Sequence, residues 1–384
     1  MNVSRRTLLW APVLAAARGA GAQQVQTGGE PLVSLWQWPL RRVVEVAVAV
    51  DGSRVIAVDR EGWVLCFSRS GQRLWRQSIP NTERVIIARD GLLALAYGVR
   101  NPHNCRVTFL DRRGRRFARV DLNEPPRYVA VAPDGGGAAI AAGSSVVLCS
   151  RTPEGIRTRV VDVPGAPAQI AVGPNGGYFV ALQSPPEVRL IRSDGSTAWK
   201  RTTPGARACS VSSSTRGKHV AVAVDGPDED VSVTLLTEHN RTLWSATRPG
   251  RFPKIRLSPD GSTTILSYEH RLDHEGDRRF ERKLSFLPTG GTTTWTKGGA
   301  YTSPLGLGVT DGGAWVTALD ARADGNPPRL RLFSREGVTR YSLPFLVGVL
   351  IATSSADGRC VAAYRQDGVL ELFELRLTSE TTAP

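Results

Sequence analysis

VEVAVAVDGSRVIAVDREGWVLCFSRSGQRLW, residues 44–75, carries both marks from which the fold is read. Apolar, mostly β-branched runs, Val46–Val50 and Val55–Val58, flank Asp51-Gly52. An Asp-Gly pair tolerates the positive φ that a two-residue hairpin turn needs, so the pair marks a hairpin. Further on, Trp75 follows a second turn glycine, Gly71, by four positions. The first mark returns at Asp90-Gly91, Asp134-Gly135, Asn175-Gly176, Arg216-Gly217, Asp260-Gly261, Asp311-Gly312 and Asp357-Gly358, with spacings of 39, 44, 41, 41, 44, 51 and 46 residues. Eight hairpins at a near-constant period are the signature of a repeat architecture.

The second mark returns as Gly195 to Trp199, Asn240 to Trp244, Gly291 to Trp295 and Gly337 to Tyr341. Two repeats keep the turn and lose the aromatic: Gly114 leads to Ala118 and Gly155 to Arg159. Trp36 stands 39 residues before Trp75 and ahead of the first Asp-Gly turn, while no equivalent follows Asp357. The chain therefore begins with a fourth strand and ends with three. Four short strands per repeat predict an all-β, eight-bladed β-propeller over residues 32–376, with four antiparallel strands per blade. The last blade is closed by the N-terminal strand around Trp36, which removes the open edges of the ring. Residues 23–31 read as a linker and 377–384 as a C-terminal tail.

SRSGQRLW (68–75), IRSDGSTAW (191–199), TEHNRTLW (237–244) and LPTGGTTTW (287–295) resemble the repeats of the quinoprotein-like eight-bladed propellers. The turns APDG (132–135) and SPDG (258–261) are similar to exported WD40-like repeats. The resemblance implies the fold over the whole repeat region and leaves function open, because such folds host dehydrogenases, scaffolds and binding proteins.

Residues 1–22 have the features of a removable export signal: Arg5-Arg6, an apolar stretch to Ala17, and Ala20-Gly21-Ala22 as the small-x-small cleavage site. The paired arginines resemble the twin-arginine signal. A periplasmic or secreted protein is expected, cut after Ala22. The chain has 49 Lys and Arg against 35 Asp and Glu, for +14. Losing Arg5, Arg6 and Arg18 with the signal leaves +14 − 3 = +11. No run of five basic residues occurs, so a mixed charged surface is expected rather than a nucleic-acid interface. No apolar stretch after the N-terminus is long enough to span a membrane. The five cysteines (Cys66, Cys105, Cys149, Cys209, Cys360) each lie in a short apolar run without a CxxC pair or metal-site spacing, and read as buried small hydrophobes.

In a four-stranded meander the turns between strands one and two and between three and four share a face. The two-to-three turns and the blade links share the other. Here the first face is nearly constant, and the second carries the length variation: Gly98–Asn104, Gln183–Glu187, Asp225–Asp230, Glu269–Arg282, Asp320–Pro328 and Arg248–Pro253. Variable loops on a rigid scaffold are where binding concentrates, so this face is the expected working surface. Arg42, Arg84, Arg127, Arg207 and Lys254 recur where the chain enters an innermost strand. They would ring the channel mouth with positive potential, unless each pairs with an acid of the neighbouring blade, which is the preferred reading. Arg251 lies in a blade link, and Trp63, out of register with the other tryptophans, is the aromatic to test for ligand stacking. The longest insertion holds His270, Asp273 and His274, which read as part of a solvated charged hairpin.

The expected role is a non-catalytic exported scaffold, monomeric and without a cofactor, whose variable face takes a protein or glycan partner, an acidic one if the basic ring is the contact. The alternative is a quinoprotein-type dehydrogenase. That would need a quinone stacked on a Trp, a calcium held by Glu and Asn, and a catalytic Asp, for which no matching residues are aligned.

Overall fold

Short apolar runs separated by glycine turns give strands too short to bury themselves singly, and they pair locally into eight four-stranded antiparallel sheets. The computed structural model describes residues 32–98, 106–173, 177–183, 186–203, 206, 208–216, 218–274, 277–298, 307–320, 329–343, 349–355 and 357–376, with the backbone alone at 32, 90, 181, 183, 208, 209, 272–274, 277–280, 319, 320, 329 and 341–343. Blade 1 is β2–β5 (43–78), blade 2 β6–β9 (84–121), blade 3 β10–β13 (126–162) and blade 4 β14–β17 (167–202). Blade 5 is β18–β21 (208–249), blade 6 β22–β25 (251–298) and blade 7 β26–β29 (308–343). Blade 8 takes β30–β32 (349–375) from the end of the chain and β1 (Leu32–Pro39) from its start, in the order β1-β32-β31-β30. Leu32 pairs with Leu375 and Pro39 with Val369, as the orphan aromatic at Trp36 predicts.

The first strand of each blade forms the inner ring. From blade 1 through blade 6 it packs on the first strand of the next blade, and that of blade 8 packs on blade 1; between blades 7 and 8, Ser354 Oγ donates to Leu307 O. Each of eight apolar clusters fills one interface between adjacent blades. The closing interface joins Val46, Ala57 and Phe67 of blade 1 to Ala362, Leu370 and Leu372 of blade 8, with Trp36 and Trp38 against it. Both indoles meet Phe67, at centroid distances of 5.5 and 5.3 Å. Cys66, Cys149 and Cys360 are free and buried in these clusters. Burial pushes the Cys66 and Cys149 thiols up to about 12. Cys105 and the side chain of Cys209 lie outside the described residues.

The hairpins differ from expectation in their turn chemistry. Ala49 N donates to Arg54 O, so the loop at Asp51-Gly52 has four residues rather than two. Only Gly52 is left-handed, at φ +67°. Asp51 acts through its side chain, accepting from Ser53 N at 3.2 Å and Ser53 Oγ at 2.6 Å, the Asx-turn device that competes with a plain backbone turn. The same four-residue closure recurs at Ala88 to Leu93, Ala132 to Gly137, Ser258 to Thr263, Thr310 to Trp315 and Ser355 to Cys360.

The outer turns of blades 1, 2, 4, 5 and 7 have three residues and end in a left-handed residue and a bulge, as at Gly71 (φ +83°). This glycine is also a contact. A Cβ there would stand 2.7 Å from Trp36 Cγ of blade 8. Trp75 lies in the same way against Gly114, Trp244 against Gly291 and Trp295 against Gly337. The indole N–H of Trp36 donates to Arg69 O, of Trp199 to Glu238 O and of Trp295 to Arg335 O. The repeated tryptophans are thus inter-blade clasps. Where the aromatic is lost, Arg159 fills the place against Gly195, and Gly155 has nothing within 4 Å of a Cβ.

Candidate functional site

The longest insertion is continuous strand. β23 (Thr263–His274) and β24 (Asp277–Pro288) have twelve residues each and pair from Thr263↔Pro288 to His274↔Asp277. Strands of the other blades have about six, so the ribbon runs on by roughly 20 Å at about 3.4 Å per residue. Its neighbours stop short. β22 (Arg251–Leu257) reaches only to Arg251↔Glu269, and β25 (Trp295–Gly298) joins only from Lys283↔Gly298. Among the described residues, the ribbon over 270–282 pairs with itself alone.

The root of the ribbon is charged and strained. Phe252 is half exposed, at 53%, and has φ +52°. A bulky side chain in the left-handed region costs about 1–3 kcal/mol and persists only where its surroundings impose it. Here the register shifts between Arg251 and Lys254, placing Phe252 and Pro253 in a bulge. The carboxylate of Asp225, 4% exposed, accepts from Phe252 N at 3.4 Å. The Arg251 guanidinium lies 5.0 Å from the Phe252 ring centroid. Glu269 sits between Arg251 at 3.8 Å and Arg282 at 3.2 Å. Lys254 completes the group; its pKa is lowered by partial burial and by Arg282, against the pull of Glu269. Arg271 pairs with Glu229 at 3.6 Å, and His270 Nδ1 lies 3.2 Å from Pro249 O, where the Nδ1-protonated tautomer donates.

Five sequence candidates therefore fall on this site: Arg251, Lys254 and His270 by their side chains, and Asp273, opposite Arg278, and His274 by strand position. His274 pairs at the ribbon tip with Asp277. The side chains of Asp273 and His274 lie outside the described part, and Arg207 lies outside the described residues altogether.

The other basic candidates occupy different registers. Counted back from the Asp of the following turn, Arg84 and Lys254 are both six residues away, Arg127 seven and Arg42 nine. Arg84 Nη1 donates to Glu45 Oε2 of blade 1 at 2.5 Å, the cross-blade pairing preferred above. Burial raises the Glu45 pKa, and Arg84 only partly offsets this. The same cross-blade bond recurs without charge where Ser210 Oγ donates to Gln169 Oε1 at 2.6 Å. Arg127 is an exposed bulge residue between Pro126 and Tyr128. Arg42 is exposed and left-handed, at φ +56°, and its carbonyl accepts from Arg60 N. Trp63 is half-buried against the closing cluster, with Arg76 Cζ 3.6 Å from its ring centroid, so one ring face is already covered.

Sequence reading missed the exposed apolar residues of this face: Tyr128 and Phe252, and Leu350, the bulge residue of blade 8. Bulges re-aim side chains without altering composition. The only hint in the sequence is that each interrupts strict alternation beside a proline or a second apolar residue.

No protein family and no curated protein matches the chain. Solved structures match its shape. The Dos1 propeller superposes with a TM-score of 0.66 at 11% identity, covering 90% of this chain and 96% of its own. A chain titled Kuenenia stuttgartiensis hydrazine synthase superposes at 0.53 and 15% identity, covering 77% and 96%. The Myceliophteria thermophila Cps50 (Swd1) β-propeller domain superposes at 0.53 and 11% identity, covering 88% and 99%. At these identities the likeness is one of fold.

Proposed function

We propose that this chain is a non-catalytic binding scaffold whose variable face takes a protein partner, with the β23–β24 ribbon as the principal contact. The observation that carries this reading is the ribbon's self-contained pairing: over 270–282 its outer edges have no sheet neighbour among the described residues. Unpaired edges invite addition of a strand from another chain, in which main-chain hydrogen bonds give affinity and alternate side chains give selectivity. The root supplies a rigid exposed aromatic, Phe252, stacked with Arg251, the pairing of residue types that dominates interface energetics. Among the described side chains of the root, four cations (Arg251, Lys254, Arg271, Arg282) against three carboxylates (Asp225, Glu229, Glu269) favour an acidic partner segment.

Export to the periplasm or beyond is part of the proposal and is supported by the character of residues 1–22. Membership of the quinoprotein-like or WD40-like superfamily is supported by the repeated turn-to-tryptophan clasp. A monomer fits a ring whose sheet edges are closed within one chain.

The test replaces residues 271–280 with a two-residue Asn-Gly turn and compares wild-type and shortened protein in co-purification from cell-envelope extracts. The propeller should keep its melting temperature, because the segment lies outside the eight inter-blade clusters, while the partner is lost. Recovery of the same protein in equal yield by the shortened chain would refute the ribbon's role.

A further inference from the structure

On the opposite face, away from the ribbon, a cleft of about 730 Å³ opens around the outer turns of blades 1 and 2. Among the described side chains, five arginines line it (Arg54, Arg112, Arg113, Arg115 and Arg151) with one carboxylate, Asp111, a formal +5 − 1 = +4. Asp111 is already committed. Its Oδ1 accepts from Arg113 N at 2.9 Å and Arg115 N at 2.8 Å, and its Oδ2 from Arg115 Nε at 2.7 Å. The positive excess is therefore concentrated in a concave space, where a field is focused rather than dispersed.

Arg54 shows that the site is built into the fold. It opens the second strand of blade 1, and its side chain is 8% exposed. A Cβ on Gly91 would lie 2.6 Å from Arg54 Cδ, so the blade 2 turn closes over the stem. Arg54 Nη1 then donates to Arg112 O at 2.8 Å. That carbonyl, two residues before the outer-turn glycine, is the equivalent of the ones taken by the indoles of Trp36, Trp199 and Trp295. Arg54 has displaced Trp75 from it, leaving Trp75 Nε1 buried without a partner; Trp244 Nε1 is the other indole so placed. At the matching position other blades carry Tyr178, His219, Thr263 and Cys360, none of which brings a fixed positive charge. On the third side Arg151 is anchored by Nη1 to Leu92 O at 2.7 Å. Leu74 and Leu92, both more than a third exposed, give the cleft an apolar wall.

The geometry points to a binding site for a phosphomonoester carrying a small apolar body. Guanidinium forks match phosphate oxygens in pairs, and a dianion suits a +4 lining better than a single carboxylate does. The volume lies within the range of small-molecule sites. Leu74 and Leu92 would take the apolar body.

Isothermal titration of the full chain with phenyl phosphate tests this, with benzyl alcohol as the uncharged control. Arg113→Gln with Arg151→Gln, both at exposed positions, should weaken phenyl phosphate binding about tenfold or more and lower the melting temperature only slightly, by the loss of the Arg151–Leu92 hydrogen bond. Arg54→Met should abolish binding, and a thermal melt separates this from unfolding. Sedimentation with phosphatidic acid vesicles, against phosphatidylcholine vesicles, distinguishes the sources. Arginine-dependent capture identifies a lipid headgroup, and its absence alongside phenyl phosphate binding identifies a soluble ester. Equal affinity of wild type and the double variant, or no binding at about 10 mM phenyl phosphate, overturns the assignment. Because the cleft lies on the face opposite the ribbon, loss of one activity leaves the other measurable.

Discussion

Asp260 accepts four hydrogen bonds through one carboxylate: from Ser258 Oγ at 2.6 Å, Ser262 N at 3.1 Å, Ser262 Oγ at 2.8 Å and, across the blade boundary, Gly312 N at 2.8 Å. Partial burial opposes the charge, but these donors outweigh it and hold the carboxyl below its ordinary value of 3.8. A depressed folded-state pKa contributes stability that is present above the ordinary value and is lost as pH falls through the lowered one. Asp260→Asn should therefore destabilise the ring by about 1–2 kcal/mol at neutral pH. The gap to wild type should close in acid, as calorimetric melts from pH 7 to pH 2.5 would record. A constant gap across that range would show that the carboxylate's charge has no part in it. At this scale the sequence was half legible. Asp-Gly pairs announce a turn, but whether the Asp bends its own backbone or caps the amide two residues on depends on loop length, and neighbouring residue types do not encode that length.

At the level of elements, the clasp between an outer-strand tryptophan and the next blade's outer turn is the repeated unit of cohesion. Trp295 shows it most completely: 8% exposed, ring-stacked on Phe286 at 5.4 Å, tilted on Phe333 at 5.5 Å, and donating to Arg335 O at 2.9 Å. Trp295→Ala should cost about 3–5 kcal/mol. Trp295→Phe, which keeps the stack and loses the donor, should cost about 1 kcal/mol. Urea unfolding monitored by far-UV circular dichroism measures both, and equal losses would place the energy in the hydrogen bond. These clasps were readable because glycine and tryptophan recur at a fixed offset. The ribbon was not, since residues 269–282 are rich in charge, and charged residues fit a loop or a two-sided exposed strand equally well. The Arg54 cleft was equally hidden. Its arginines come from three blades and are separated by up to 97 positions, 54 to 151, and only the inter-blade packing brings them together.

For the molecule as a whole, the count of eight and the shared last blade were both legible, because an aromatic stands at the start with no counterpart at the end. The cohesion of the ring rests on that shared blade. Removing both indoles, Trp36→Ala with Trp38→Ala, should open the closing interface first. Amide exchange should rise at Leu370–Leu375 before it rises in blades 3 to 5, and oligomers should form through the freed edges. Uniform acceleration across all blades would mean that the ring unfolds as one unit. The closure also orders events in time. Gln37 donates to Glu371, 334 positions later. At roughly 5–20 residues per second, a ribosome takes on the order of half a minute to supply that partner. Throughout that interval the first strand is a nascent segment without its sheet, and seven blades have an exposed flank at each end. Any factor that holds the emerging chain acts on this one strand longest, and the wheel becomes whole only once the strand ending at Leu375 has been made.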